Sequence, residues 1–203
     1  MRNFVSTLIV LLIGLLVLWE GTDGLHAFTA EKARRIKITE TAPMLTNVKL
    51  EDSEGQELQL HDYKGKIVLA TFMYTSCGDA CPILEMKFKE VYDGLPKQSL
   101  GKDVVFLSFS FDQKRDTPER LKEYGKHFGV DNITWKMIRF TNQAAQQSFL
   151  DLIGVIVIPN ETGGYEHNSA IYMINEKGQL VEIFDYQYPE KVINKVKSII
   201  KAT

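Results

Sequence analysis

Cysteine is almost missing from this chain: there are two in 203 residues, Cys77 and Cys81. That excludes a small disulfide-stapled scaffold, which needs several bridges to stand in for a core. A surplus of positive charge is missing too. Lys and Arg number 24 against 26 Asp and Glu, for a formal net charge of −2. Nucleic acid is therefore not an expected partner, since its phosphates demand a clustered basic surface. There are no internal repeats and no low-complexity tracts, which removes solenoids and compositional linkers. With 44% hydrophobic and 25% charged residues, what remains is an ordinary globular chain with a core. Its length fits one domain and an appendage.

The appendage comes first. Phe4–Trp19 is apolar apart from Ser6 and Thr7, with Gly14 inside it. Sixteen helical residues reach about 24 Å, between a signal-peptide core and a full span of about 30 Å. No A-x-A cleavage site follows. Residues 1–20 are therefore expected to be an uncleaved N-terminal membrane anchor, the alternative being a signal segment. Arg2 favours a cytoplasmic N-terminus, although Lys32, Arg34 and Arg35 flank the other end. The short, nearly uncharged tail before the run makes export of the C-terminal part the expectation. Residues 21–43 read as a tether. A short basic helix over 30–38 would face either anionic headgroups or water.

Residues 44–203 carry the globular pattern. Val48–Leu50 and Glu57–Leu60 alternate about Glu54-Gly55 and predict a hairpin. Ile67–Tyr74 and Val104–Phe111 are near-continuous apolar runs, as expected of strands buried on both faces. Pro82 predicts the first turn of a helix to Leu95, and Thr117-Pro118-Glu119 another, capped by Thr117. Arg115 and Asp116 read as a local ion pair. Trp135–Phe140 is a third strand, and Thr141 is placed to cap the helix after it. Gly154–Ile158 is β-like, and Asn160–Glu166 is a glycine-rich loop. Ser169–Ile174 and Leu180–Phe184 form a second hairpin, and Pro189 opens the last helix. Strands alternating with helices imply a central sheet with parallel crossovers. The order resembles a thioredoxin-like three-layer α/β/α sandwich, with an N-terminal β-hairpin and a single N-terminal anchor helix.

Both cysteines fall in TSCGDACP, residues 75–82, where the first buried strand gives way to a helix. Helix N-terminal N–H groups favour the thiolate, the form that binds metals and exchanges disulfides. Two sulfurs four positions apart can hold a soft metal, cycle between dithiol and disulfide, or form a structural bridge. In a thioredoxin-like chain the stretch just before the second hairpin passes in front of the cysteines, and here it reads Glu166-His167-Asn168. An imidazole there would complete a two-cysteine, one-histidine set. Sulfur selects Cu(I), nitrogen helps to hold Cu(II), and zinc is the other candidate ion. Taken alone, His167 can equally be a loop histidine bonded to backbone. Asp79, between the cysteines, and Asp112, at the end of the second strand, are possible polar neighbours of the site or plain turn residues. His26, His61 and His127 read as surface or capping residues.

Three blocks carry a closer resemblance: YTSCGDACP at residues 74–82, SFDQKRDTPERL at 110–121 and YEHNSAIYMIN at 165–175. Together, in this order and with 86 positions between Cys81 and His167, they resemble the Sco/SenC family of copper-handling cytochrome c oxidase assembly factors. The resemblance runs from about Pro43 to the end. It implies that Cys77, Cys81 and His167 are copper ligands and that Asp112 is an acidic residue near the metal. Gly78, Gln113 and Asn168 depart from the residues common in the family, without removing a ligand.

The expected function is a membrane-tethered copper chaperone that delivers Cu(I) or Cu(II) to a partner's metal site, by resemblance the CuA centre of a cytochrome c oxidase subunit. The expected place is a bacterial cytoplasmic membrane, with the domain on the periplasmic side. The alternative is a thiol–disulfide reductase, in which Cys77 and Cys81 are a redox pair acting on the cysteines of a copper-receiving protein. Either function needs a thiol reductant as a further partner. A peroxidase-like thiol enzyme on the same fold ranks last, because no activating constellation is visible.

Overall fold

The computed structural model describes residues 2–21, 30–161 and 163–201. The chain divides into two compact units, 1–41 and 42–203. The first unit contains helix α1 (Arg2–Gly21) and helix α2 (Ala30–Thr41). Val10, Leu11, Leu15, Leu16 and Val17 of α1 are exposed. Among the described residues, no helix is long and apolar enough to cross a membrane. His26 and the first part of the tether lie outside the described residues.

The second unit is built on a seven-stranded sheet of order β2-β1-β5-β4-β3-β8-β9. The hairpin β1 (Lys49–Asp52) and β2 (Glu57–Gln59) sits at one edge, with β1 antiparallel to β5 (Trp135–Phe140). The centre is parallel: β3 (Ile67–Met73) beside β4 (Val104–Ser110), and β4 beside β5. The second hairpin, β8 (Ile171–Ile174) and β9 (Leu180–Phe184), joins antiparallel to β3 at the other edge.

All seven residues of β3 and all seven of β4 are buried, because helices cover both faces. On one face, Phe88 of α3 (Ala80–Gly94) meets Phe106 at 4.8 Å and Trp135 at 5.5 Å. Helices α4 (Pro118–Lys126) and α6 (Pro189–Ile200) complete that layer, α4 packing on β5 and α6 on α3. On the other face, Phe149 of α5 (Gln143–Ile153) stacks on Phe109 at 5.7 Å and lies near Phe72 and Phe140. Alternation along the strands separates the two sets: Thr71, Phe106 and Ser108 point to α3, while Phe72 and Phe109 point to α5.

Three local expectations change. Helix α3 begins at Ala80, two residues before Pro82, so Asp79 is its N-cap residue and Cys81 lies inside the helix. Proline still falls in the first turn, where its missing N–H is harmless. Asn142, not Thr141, caps α5, its Oδ1 accepting from Ala145 N at 2.9 Å, while the Thr141 hydroxyl bonds Lys49 O. And residues 154–167 hold one strand more than the β-like stretch and loop expected there. β6 (Val157–Pro159) and β7 (Tyr165–His167) form a separate two-stranded ribbon outside the main sheet.

Candidate metal centre

Parallel order puts the C-terminal ends of β3 and β4 side by side, the edge where open α/β sheets carry their sites. β3 ends there and the chain turns through Thr75–Asp79 into α3. Cys77 is half-buried and Cys81 fully buried, and both thiols are free. The helix start shapes their chemistry. The Cys81 N–H donates to Cys77 Sγ at 3.3 Å. Burial pushes the Cys77 thiol up, but the bonds it accepts from the Cys81 thiol and from the N–H groups of Asp79, Cys81 and Ala80 outweigh burial, so its pKa lies below the ordinary value. Cys81 goes the other way. Burial first, then its bond to Cys77 and the charges of Cys77 and Glu85, keep it protonated far above the ordinary range.

The split has a simple test. Iodoacetamide at pH 8 should alkylate Cys77 at least about tenfold faster than Cys81, as read by peptide mass mapping; equal labelling would contradict the assignment.

His167 reaches this pair from the ribbon. Its Nε2 lies 3.3 Å from Cys81 Sγ. Burial holds its imidazole below the ordinary pKa, against a weaker opposing effect of a backbone bond at Asn168, so the ring is neutral and able to donate a lone pair. Its Nδ1 is buried, and apart from that weak approach to Asn168 it has no partner. The wall around the ring is aromatic: Phe111 at 5.1 Å and Tyr74 at 6.4 Å, centroid to centroid. Asn168 fastens the base of the ribbon, its Oδ1 accepting from Ile156 N and its Nδ2 donating to Gly154 O.

Cys77, Cys81 and His167 are thus brought together. Two soft sulfurs and one neutral nitrogen are a donor set for copper or zinc. Among the described residues no group of three such side chains stands in a ready-made ligating arrangement. The imidazole Nε2 and the Cys81 sulfur face each other at 3.3 Å, and the Cys77 sulfur accepts from the Cys81 N–H.

The two acids fare differently. Asp79 is exposed at the N-cap of α3 and makes no side-chain capping bond. Asp112 is buried and ion-pairs with Arg115. That corrects the expected pairing of Arg115 with Asp116, which fails because neighbouring residues point apart. The Asp116 carboxylate instead lies at zero exposure under the cysteine loop. It accepts from Thr75 N at 3.0 Å, Thr75 Oγ1 at 2.5 Å and Ser110 Oγ at 2.5 Å. Arg120 ties the same loop from outside, donating to Thr75 Oγ1 and Ser76 Oγ.

Glu85 is a residue that sequence reasoning missed. It lies one helical turn beyond Cys81, at zero exposure. The Thr71 and Ser108 hydroxyls each donate to it at 2.7 Å, and Trp135 Nε1 donates to Ser108 Oγ at 3.0 Å. Burial outweighs those bonds and pushes its pKa up to about 7. A signal existed: positions 81, 84, 85, 88 and 91 make one stripe, and Glu85 is its only charged member.

Comparison with known proteins agrees with this fold. The SCO1/SenC family model matches residues 37–201. The SCO2-like protein of Rickettsia felis is 30% identical over 140 residues, covering 66% of this chain and 65% of that protein. This chain thus spans just under two thirds of that relative's length. Among solved structures, a SCO1/SenC family lipoprotein from Bacillus anthracis superposes with a TM-score of 0.71 at 25% identity, covering 77% of this chain and 95% of that one. The Bradyrhizobium japonicum ScoI structure with copper bound superposes with a TM-score of 0.63, also at 25% identity, covering 77% and 99%.

Proposed function

The chain belongs to the SCO1/SenC family, and on that premise we propose that it is a copper carrier whose cargo is held by Cys77, Cys81 and His167. The observation that carries the proposal is the 3.3 Å approach of His167 Nε2 to Cys81 Sγ, across 86 positions of sequence. A fold has no structural need to bring an imidazole to a buried thiol beside a second, thiolate-prone sulfur. A similar protein, ScoI of Bradyrhizobium japonicum, has been solved with copper bound. Copper binding displaces the thiol protons, and Phe111 and Tyr74 wall one side of the imidazole.

The carrier is anchored by the apolar run Phe4–Trp19, on the periplasmic side of a bacterial cytoplasmic membrane. The exposed apolar side chains of α1 are what a lipid-embedded segment presents. It passes copper to a partner's metal site, the CuA centre of cytochrome c oxidase, during assembly of that complex. A thiol reductant keeps the pair ready to accept Cu(I).

The test is Cu(I) competition titration of the reduced full chain. His167→Ala should weaken binding by at least about a hundredfold, more than the loss of a group that only orients a ligand. Unchanged affinity would sink the three-ligand reading.

A second reading draws on the opposite pKa shifts of the two sulfurs. An accessible thiolate-prone Cys77 backed by a protonated Cys81 is the arrangement of a thiol–disulfide reductase. In cells, loss of function in Cys77→Ser and Cys81→Ser but not in His167→Ala would favour electrons over metal.

A further inference from the structure

His167 is carried by a ribbon that the main sheet does not hold. β6 and β7 pair only with each other, so something else must set the height at which the imidazole meets the sulfurs. Tyr74 is placed to do it. It follows β3 directly, stands three residues before Cys77 and is 6% exposed. Its hydroxyl accepts from Tyr165 N at 3.2 Å and donates to Tyr165 O at 3.4 Å. One phenol oxygen therefore serves both backbone groups of a ribbon residue. Tyr165 lies two positions before His167 on the same strand, so the two side chains share a face.

A second observation points the same way. A Cβ added at Gly164 would stand 2.9 Å from the Tyr74 hydroxyl oxygen. Gly164 is not in the left-handed region, so what the position requires is clearance rather than backbone freedom. Beside it, Arg115 Nη1 donates to Gly163 O at 2.7 Å, and its guanidinium lies 5.4 Å from the Tyr165 ring. The ribbon and its turn are thus clasped at Tyr165 by Tyr74 and at Gly163 by Arg115.

We propose that Tyr74 is a positioning residue for the metal centre: its hydroxyl seats the β6–β7 ribbon so that His167 Nε2 faces the two sulfurs, and Gly164 provides the clearance that lets it do so. This rests on the reading of His167 as a copper ligand. Tyr74→Phe isolates the effect, because the ring keeps its packing on Phe111 at 5.5 Å and Tyr165 at 5.2 Å and only the oxygen is lost.

The experiment is a double-mutant cycle in Cu(I) affinity on the reduced full chain, by competition with a chromophoric chelator. Tyr74→Phe and Gly164→Ala should each bind copper about tenfold more weakly, the lower end of the range for groups that orient a ligand. The double variant Tyr74→Phe/His167→Ala should bind no more weakly than His167→Ala alone, since a residue acting only through His167 has nothing left to position. Parent-like binding by Tyr74→Phe and Gly164→Ala, beside a weakened His167→Ala, overturns the inference and leaves the ligand reading standing. So does a full tenfold loss repeated on the His167→Ala background, which would make Tyr74 a general structural residue. Parent-like binding by His167→Ala overturns the ligand reading, and the inference with it.

Discussion

Between pH 4.5 and pH 8 the protein is expected to lose about 3 kcal/mol of unfolding free energy through one side chain, and Glu85→Gln is expected to abolish that loss. Glu85 has a folded pKa of about 7, against an ordinary value of 4.5. Below 4.5 it is protonated in both states and contributes no pH dependence. Between the two values the folded protein holds the proton more tightly, so stability falls as pH rises. Above about 7 the charge is buried and the cost is complete. A difference of about 2.5 pKa units at 1.36 kcal/mol each sets the size. His167 works in the opposite sense. Its lowered pKa makes folding less favourable as pH drops below the ordinary histidine value. The difference between parent and Glu85→Gln profiles, from urea titrations at each pH, isolates Glu85. The glutamine amide keeps a carbonyl for one hydroxyl, and the other hydroxyl can rotate to accept. Parallel profiles would show that Glu85 does not titrate in this window.

The second large effect is expected at Asp116. Replacement by alanine should cost about 4 kcal/mol. The carboxylate accepts from Thr75 N, Thr75 Oγ1 and Ser110 Oγ at zero exposure. Bonds to a charged acceptor contribute about 1.5–3 kcal/mol each, and a rotated Ser110 hydroxyl recovers part of the sum. The damage should not stay in the global stability. Thr75 leads directly into Cys77, so freeing it unseats the turn that aims N–H groups at the Cys77 sulfur. Cys77 alkylation in Asp116→Ala should therefore slow at pH 7, as the thiolate loses its donors. A fall in melting temperature with unchanged alkylation would confine Asp116 to a packing role.

Much of this architecture could be read in the chain before any coordinates. Ile67–Tyr74 and Val104–Phe111 announce themselves because strands buried on both faces carry no polar alternation to confuse with a helix. Thr117-Pro118 marks its helix start because capping chemistry is local, and the Thr117 side chain does accept from Arg120 N. The ribbon escaped notice for the opposite reason. Val157–Pro159 and Tyr165–His167 are three residues each, too short for a periodicity, and one ends in proline. The join between His167 and the cysteines depends on chain path, and no local pattern encodes it. It became visible only through the fold order and the family blocks. Glu85 and Asp116 were hidden by a general rule that acids face water. Each breaks that rule where hydroxyls from β3, β4 or the cysteine turn are waiting for it.

The separateness of the ribbon also bears on how the centre comes apart. The sulfurs sit on the turn and the first helical turn that follow a strand whose seven residues are all buried, the part of a sheet that opens only with global unfolding. The nitrogen hangs from three residues paired to three others at the periphery. Local fluctuations are therefore expected to move the imidazole before either thiol. Amide hydrogens of the ribbon should exchange with solvent through such excursions long before those of β3. On the proposed copper-carrier reading, release would begin with the loss of one donor, through a small local opening rather than through the fold.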